Sequence, residues 1–203
     1  MKALDTTVMK LVTERLTLIP YSKRICEEIL QNSYASLKNL GLKKGRNWPD
    51  VDVLETLPRI IANLSKVDTP SGFESWMVVK SESREIIGDI GFKGYNHISD
   101  SCDLGYGIIE AERRNGFAEE AARALIHWAF TKEELQCITA NCARNNTGSK
   151  NLLTKLRFSI LNSDADMIYW RLSRKEMFLN PADFHIAADI AVHNDVKTPS
   201  NGH

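Results

Sequence analysis

The hydrophobic pattern changes from alternation to helical spacing early in the chain. The stretch 13–21 alternates apolar and polar residues, which predicts a strand. A helix is predicted over 23–32, where Ser22 can act as the N-cap, and a second helix can be capped by Asp50 or Asp52. The basic, turn-rich stretch between the two helices is expected to be a loop.

The rest of the chain alternates between strand and helix patterns without an internal repeat. The elements predicted there are strands over 73–80, 85–95, 103–109 and 137–142, helices over 117–132 and 149–156, and a terminal hairpin with strands over 158–161 and 167–172. Short connections favour antiparallel pairing, whereas the long helix is expected to be a crossover between parallel neighbours. We therefore expect an α/β domain with a mixed, mostly antiparallel sheet over 1–175, and a partly helical or disordered tail over 176–203.

Composition and charge narrow the function classes. The 203 residues contain 26 Lys and Arg against 26 Asp and Glu, so no excess charge favours a nucleic acid or an acidic membrane. No signal peptide or membrane-spanning stretch is recognisable. The four cysteines form no Cys-x-x-Cys pair and have no histidine at metal-ligand spacing, which predicts free thiols and no metal. We expect a cytoplasmic protein.

The start of the long helix carries the first chemical signal. Residues 112–130 read ERRNGFAEEAARALIHWAF, with two arginines and a glycine directly before the apolar stripe. A helix N-terminus has unpaired N–H groups and a partial positive charge, which suit phosphate. Gly116 lets a ligand approach the backbone, and Arg113 and Arg114 add charged donors. The pattern predicts a pyrophosphate cradle, although it is neither a P-loop nor a dinucleotide fingerprint.

The segment Arg113–Ala118, RRNGFA, fits the Arg/Gln-x-x-Gly-x-Gly/Ala signature of the GNAT superfamily of acetyl-CoA-dependent N-acetyltransferases. Other segments resemble its ribosomal-protein N-terminal (alanine or serine) acetyltransferase branch. In the order of that branch, they are TERLTL at 13–18, IIGDIG at 86–91, DLGY at 103–106, NTGS at 146–149 and LLTKLRF at 152–158. The resemblance spans about residues 13–173.

The resemblance implies a GNAT fold, in which helices cover both faces of the sheet and the strand over 103–109 splays from the strand over 137–142. It also implies direct transfer of an acetyl group from acetyl-CoA, as co-substrate, to a primary amine. The pyrophosphate would lie on the motif backbone and the thioester in the gap between the splayed strands. The residues expected to bind acetyl-CoA are Ile108, Ile109, Arg113, Arg114, Asn115, Gly116, Phe117, Ala118, Asn141, Asn146 and Lys155.

Some of these residues have a structural alternative. Asn141 could reach the pantetheine amides or be an ordinary strand residue. Asn146 could contact acetyl-CoA or fix the turn, and Lys155 could reach the outer phosphate or be solvated.

The resemblance also suggests catalytic residues. Asp103 occupies a strand on which some family members carry a catalytic glutamate, so it is the candidate base, with a role at the strand start as the alternative. His97 and Asp89 are weaker candidates for the base. Many members place a tyrosine where this chain has Leu153, and Ser149 is the candidate acid instead, or the helix N-cap. Arg157 replaces a family glycine, and a positive φ there would cost about 1 kcal/mol.

The acceptor is less defined by the sequence. A protein N-terminal α-amino group is one candidate, a small-molecule or antibiotic amine is another, and a non-catalytic acyl-CoA-binding domain is the alternative from a different class. Specificity is expected from the first two helices, the loop between them and the final hairpin. Either a monomer or a homodimer is compatible with the sequence.

Overall fold

The computed structural model describes residues 9–179, which form one nine-stranded sheet with six α-helices. The strands are β1 (Leu11–Val12), β2 (Leu16–Pro20), β3 (Lys43–Lys44), β4 (Ser75–Lys80), β5 (Glu85–Asn96), β6 (Ser101–Ile108), β7 (Cys137–Ala143), β8 (Ser159–Ser163) and β9 (Met167–Ser173). The helices are α1 (Lys23–Leu30), α2 (Ala35–Asn39), α3 (Val51–Leu64), α4 (Phe117–Phe130), α5 (Thr147–Lys155) and α6 (Arg174–Phe178), and a 3₁₀ turn spans Glu110–Glu112.

The sheet runs in the order β1-β2-β4-β5-β6-β7-β9-β8, and β3 pairs with the start of β5. The β6–β7 and β3–β5 pairs are parallel, and the other pairs are antiparallel. Helix α4 is the crossover that joins β6 to β7. The expectation of a mixed, mostly antiparallel sheet in an α/β domain is confirmed.

The parallel pair in the middle of the sheet opens part-way along its length. Pairing between β6 and β7 stops at Leu104 and Ala140, although β6 continues to Ile108 and β7 to Ala143. The last four residues of β6 therefore have a strand neighbour only on the β5 side. This is the splay implied by the resemblance.

Helices cover both faces of the sheet, as expected. On one face, Trp128 of α4 packs edge-on against Trp76 of β4, with ring centroids 5.7 Å apart. The next residue, Met77, points to the opposite face because side chains alternate along a strand. Asp89 of β5 is in register with Met77 and lies in a depression beside α3. The two faces therefore meet different helices.

The helix caps follow local chemistry. The Ser22 side chain accepts a hydrogen bond from the Ile25 N–H group, and the Asp50 side chain accepts one from Val53. The prediction of Ser22 is confirmed, and of the two candidates before α3 it is Asp50 that acts as the cap. The Arg157 φ angle is +63°, so the strained conformation considered for this position is present.

The element bounds differ from the predictions in several places. The first strand is shorter than 13–21, α4 ends at Phe130, and α5 begins two residues earlier than predicted. The short elements β1, β3, α2 and α6 were not predicted, because two to five residues carry too little periodicity. Helix α6 crosses the boundary expected at 175, and the rest of the tail predicted to be partly helical or disordered lies outside the described residues.

Within residues 9–179, no helix combines the length and apolarity needed to span a bilayer. The four cysteines are free thiols. The same part of the chain holds no cluster of three metal-ligating side chains.

Candidate active site

The turn that follows β6 is held by Arg113. Its Nε atom donates to the Ile108 carbonyl oxygen at 2.8 Å, and a terminal nitrogen lies 3.3 Å from Oδ2 of Asp52. Half of the Arg113 side chain and most of the Asp52 side chain are exposed, so this ion pair adds little stability. Together, the two contacts of Arg113 fix where the chain leaves the sheet and turns toward α4.

The backbone before α4 adopts the left-handed conformation at two positions. Arg114 has a φ angle of +66°, and Gly116, the N-cap residue, has +80°. A side chain at Gly116 would be strained by that φ angle, and its first carbon would lie 3.4 Å from the Arg15 guanidinium. The sequence therefore needs glycine here for backbone reasons.

The N-terminus of α4 presents unpaired donors. The Glu120 N–H group donates to the Gly116 carbonyl oxygen, so residues 117–119 precede the first intrahelical bond. No side chain of the described chain caps this end. The unpaired N–H groups and the helix dipole make an anion site at this point.

Residues that precede β2 hold the start of α4 in place. Arg15 donates through NH1 to the Asn115 carbonyl oxygen at 3.0 Å and forms an ion pair with Glu120 at 2.7 Å. Thr13 donates to the same carboxylate at 2.6 Å, and the Arg15 guanidinium lies 4.7 Å from the Phe117 ring centroid. The segment before β2 therefore positions the start of α4.

A groove of about 800 Å³, which we name the α4 groove, runs from this cradle to α5. It brings together nine of the residues predicted to bind acetyl-CoA or to act in catalysis. They are Ile108, Arg113, Arg114, Gly116, Phe117, Ala118, Asn146, Ser149 and Lys155. The remaining four predicted residues lie elsewhere.

The four residues outside the α4 groove have identifiable surroundings. Asn115 donates its side-chain amide to the Glu112 carbonyl oxygen at 3.2 Å, inside the turn. Ile109 is buried and borders a second depression. Asn141 is exposed on β7, opposite Tyr169 of β9. Asp103 lies where β6 and β7 are still paired, before the splay opens.

Helix α5 forms the far wall of the α4 groove. Oδ1 of Asn146 accepts from the Ser149 N–H group at 2.9 Å, so Asn146 is the N-cap and Ser149 is the third residue of the helix. The alternative that Ser149 caps the helix is therefore wrong, and the alternative that Asn146 fixes the turn is confirmed. Lys155 forms an ion pair with Glu119 at 3.2 Å across the groove.

Sequence reasoning missed Tyr106. This residue of β6 borders both depressions, at the splayed end of the strand. The pKa of its hydroxyl is raised, mainly by burial, and a hydrogen bond with the Ser149 side chain offsets part of this rise. Leu153, at the position where many family members carry a tyrosine, is fully buried. The available signal was a phenol flanked by two glycines in DLGYG.

The second depression, which we name the α3 cleft, has a volume of about 740 Å³ and lies between α3 and the sheet. Its floor is open because Gly105 and Gly107 carry no side chains. A carbon added at Gly105 would meet no atom within 4 Å. Charged side chains from the α3 side border the cleft, namely Asp50, Asp52, Glu55, Arg59 and Lys66. Tyr106, Gly107 and Ile108 border both the cleft and the groove, so the two meet there.

Two carboxylates mark opposite ends of the glycine floor. Asp103 forms an ion pair with Lys93 and accepts a hydrogen bond from Thr139 at 3.1 Å. Asp89 borders the α3 cleft itself, and burial, its largest influence, raises its pKa to about 7.

Comparison with known proteins agrees with this geometry. The model of the acetyltransferase (GNAT) domain matches residues 15–159. The chain is 32% identical over 160 residues to Uncharacterized N-acetyltransferase YjdG of Bacillus subtilis (strain 168), covering 79% of this chain and 95% of YjdG.

Solved structures show the same fold. The ribosomal-protein-S5-alanine acetyltransferase from Vibrio fischeri superposes with a TM-score of 0.60 at 15% identity, covering 82% of this chain and 97% of that chain. The microcin C7 self-immunity acetyltransferase MccE, in complex with acetyl-CoA and AMP, gives 0.56 at 14% identity, covering 79% and 93%. The domain match, the identity to YjdG and the splayed sheet lead to one conclusion: the chain belongs to the GNAT acetyltransferase family and is an acyl-CoA-dependent N-acetyltransferase.

Proposed function

We propose that the protein transfers an acetyl group from acetyl-CoA, bound in the α4 groove, to a primary amine bound in the α3 cleft. The observation that carries the proposal is that the two depressions meet at Tyr106, Gly107 and Ile108. An acyl donor and a nucleophile held on either side of that point would be close enough for direct attack.

The α4 groove fits acetyl-CoA by the chemistry of its parts. The N–H groups at the start of α4 suit the pyrophosphate, with the exposed Arg114 beside them. The last four residues of β6 lack a partner on the β7 side, so an extended pantetheine arm can pair with them as an added strand would. Lys155, at the other wall, can reach the outer phosphate.

The transfer requires a neutral amine and a proton for the leaving sulfur. The nitrogen lone pair attacks the thioester carbonyl carbon, the C–N bond forms, and the C–S bond breaks with its electrons on sulfur. The Ser149 hydroxyl, which does not serve as the α5 cap, is the proposed donor to the thiolate. Tyr106 stands beside it as a second hydroxyl.

The acceptor that we propose first is the α-amino group of a protein N-terminus. Such a group titrates near ~8, so a useful fraction is neutral at physiological pH. The α3 cleft has the volume of a site for a small ligand or a few residues of peptide. The fold neighbours include a ribosomal-protein-alanine acetyltransferase, whereas MccE, with AMP bound, favours the alternative of a small-molecule amine.

We place the reaction in the cytoplasm. All four cysteines are free, and Cys26, Cys102 and Cys142 are buried within the fold. Free thiols in these positions are typical of a reducing compartment.

An amine panel tests the proposal. Thiol release from acetyl-CoA would be measured with peptides that begin with alanine or serine, the same peptides blocked at the α-amino group but carrying an internal lysine, a polyamine, free amino acids and an aminoglycoside. We expect the largest kcat/KM for the unblocked peptides.

The panel separates the alternatives. Activity with a small amine and none with peptides would replace the proposed acceptor by the small-molecule alternative. Coenzyme A binding by calorimetry without thiol release for any amine would contradict the proposed acetyl transfer.

A further inference from the structure

Asp89 lies where the α4 groove and the α3 cleft meet. It sits on β5 opposite Gly107 of β6, and a carbon added at Gly107 would lie 3.7 Å from its Oδ1 atom. Gly107 borders both depressions, and Asp89 borders the α3 cleft. The carboxyl group therefore stands on the acceptor side of the splayed end of β6.

The Asp89 side chain is half-buried beside the α3 cleft, and within residues 9–179 it forms no ion pair. Burial is the main cause of its raised pKa of about 7, Asp50 and Asp52 act in the same direction, and Arg59 opposes them. Among residues 9–179, no hydrogen bond contributes to that pKa. A carboxylate in this state can accept a proton near neutral pH.

Two further titratable groups lie near Asp89, namely Tyr21, directly after β2, and Cys26 on α1. Its negative charge adds to the burial that raises the pKa of Tyr21 and of Cys26, the latter to about 12. Both groups therefore stay protonated through neutral pH. The charged and titratable groups around Asp89 are Asp50, Asp52, Arg59, Tyr21 and Cys26, and the change in protonation near pH 7 is assigned to Asp89 itself.

Asp103, the other candidate, is placed differently. It is held by Lys93 and Thr139, in the part of β6 that is still paired with β7. Gly107 is four residues further along β6, which corresponds to ~13 Å along a strand. An ion-paired carboxylate at that distance from the junction is poorly placed to take a proton from an attacking amine.

We propose that Asp89 is the catalytic base that removes the proton from the ammonium form of the acceptor. The inference rests on the proposed acetyl transfer and adds to it the residue that converts the acceptor ammonium group into a neutral, nucleophilic amine.

The proton balance is complete without a further reactant. The acceptor R–NH₃⁺ gives one proton to the Asp89 carboxylate, and the freed lone pair forms the C–N bond at the thioester carbonyl. The C–S bond breaks with its electron pair on sulfur, and a second proton leaves the nitrogen for that thiolate, directly or through Ser149. Asp89 then returns its proton to solvent, so that one amide, one thiol and one proton are formed.

The test compares acceptors whose ammonium groups differ in pKa. The best acceptor of the panel and fluorinated analogues of it, spanning pKa values from about 5 to about 10, would be assayed from pH 5.5 to 9. Wild type, Asp89→Asn and Asp103→Asn would be measured, since Asn keeps the shape of the side chain and removes the carboxylate.

We expect a loss that depends on the acceptor. Asp89→Asn should lower kcat/KM about 100-fold for the most basic amine and less than about threefold for the least basic one, which arrives already neutral. The wild-type rate with a basic amine should fall as pH drops below about 7, and this inflection should be absent from Asp89→Asn. Asp103→Asn should show a smaller loss that is uniform across the series.

A stability readout checks that the variant is folded. Because the folded-state pKa of Asp89 is raised, its contribution to stability is full below about pH 4 and is lost as pH rises through about 7. The Tm of Asp89→Asn relative to wild type should therefore be higher at pH 8 than at pH 5. If the variant does not fold, the pH profiles of the wild type decide on their own. The wild-type kcat/KM for the least basic amine must then show no fall below pH 7.

Several results would overturn the inference. They are an equal loss across the amine series, an unchanged rate in Asp89→Asn, a loss that depends on amine pKa in Asp103→Asn instead, or a fall below pH 7 with the least basic amine. A wild-type protein that acetylates no amine would overturn both this inference and the proposed function, whereas an active wild type with any of those results overturns this inference alone.

Discussion

The α4 groove and the α3 cleft are built in opposite ways. The groove offers backbone groups to a ligand, namely the left-handed turns at Arg114 and Gly116 and the unpaired N–H groups of a helix. The cleft offers charged side chains from the α3 side over a floor of glycines. A backbone site restricts which residue is allowed at each position, whereas a side-chain site can change its charges without changing the fold. This explains why the sequence motif at 113–118 points to acetyl-CoA as the acyl donor but does not specify the acceptor amine.

The largest effect is expected from a side chain inside the cradle. Gly116→Val should weaken coenzyme A binding about 100-fold, because it strains a φ angle of +80° and displaces one or two charge-assisted hydrogen bonds. Calorimetric titration with coenzyme A measures the change.

Gly41→Val is the matched control, since Gly41 has a φ angle of +66° and a side chain there would meet no atom within 4 Å. It should lower stability and leave coenzyme A affinity in place. Equal weakening in both variants would mean that strain alone, and not the cradle, is responsible.

A smaller effect is expected at the junction of the groove and the cleft. Ser149→Ala should lower kcat about tenfold with little change in acceptor KM. The loss stays below the ~100-fold of a sole acid because Tyr106 and water can supply the proton. Steady-state thiol release measures it, with Ser163→Ala on the exposed strand β8 as the control. An unchanged kcat would remove Ser149 from the mechanism.

Filling the glycine floor should affect only the cleft. Gly105→Ala adds a methyl group where no atom lies within 4 Å, and we expect the acceptor KM to rise about fivefold while coenzyme A affinity stays constant. The two constants would be measured by initial rates and calorimetry. The reverse outcome, weaker coenzyme A binding at constant acceptor KM, would exchange the assignments of the two depressions.

The smallest effect separates strain that serves binding from strain that does not. Arg157 has a φ angle of +63°, close to that of Arg114, but it lies past the end of α5. Arg157→Gly should raise stability by about 0.5–1 kcal/mol, or roughly 2–3 °C in Tm for a domain of this size, at unchanged coenzyme A affinity. Thermal unfolding checks the shift, and a lower Tm would show that the arginine side chain contributes more than the strain costs.

The sequence predicted the parts of the molecule that depend on neighbouring residues. Strand alternation, the Ser22 cap and the start of α4 after Gly116 depend on neighbouring residues, and the structure confirms them. The four short elements carry too little periodicity to be recognised, and the N-cap of α5 is Asn146 instead of Ser149, so that helix begins two residues earlier than predicted.

The acceptor side was harder because it assembles from parts that are far apart in the chain. Asp89 and Gly107 come from different strands, and α3 comes from the first third of the sequence. The second predicted helix was expected to affect specificity, and α3 does border the cleft. The approach of Asp89 to the splayed strand is set by register, which the pattern of a single strand does not specify.

The junction at Tyr106, Gly107 and Ile108 has a kinetic consequence. The two depressions share only the residues where they meet, namely Asp52, Tyr106, Gly107, Ile108 and Arg113. Two substrates bound as proposed therefore need not pass one another, and both can be present before the bond is made. A ternary complex of this kind removes the need for an acetylated form of the protein between half-reactions. Initial-rate lines that intersect, instead of running parallel, are the signature of such an arrangement.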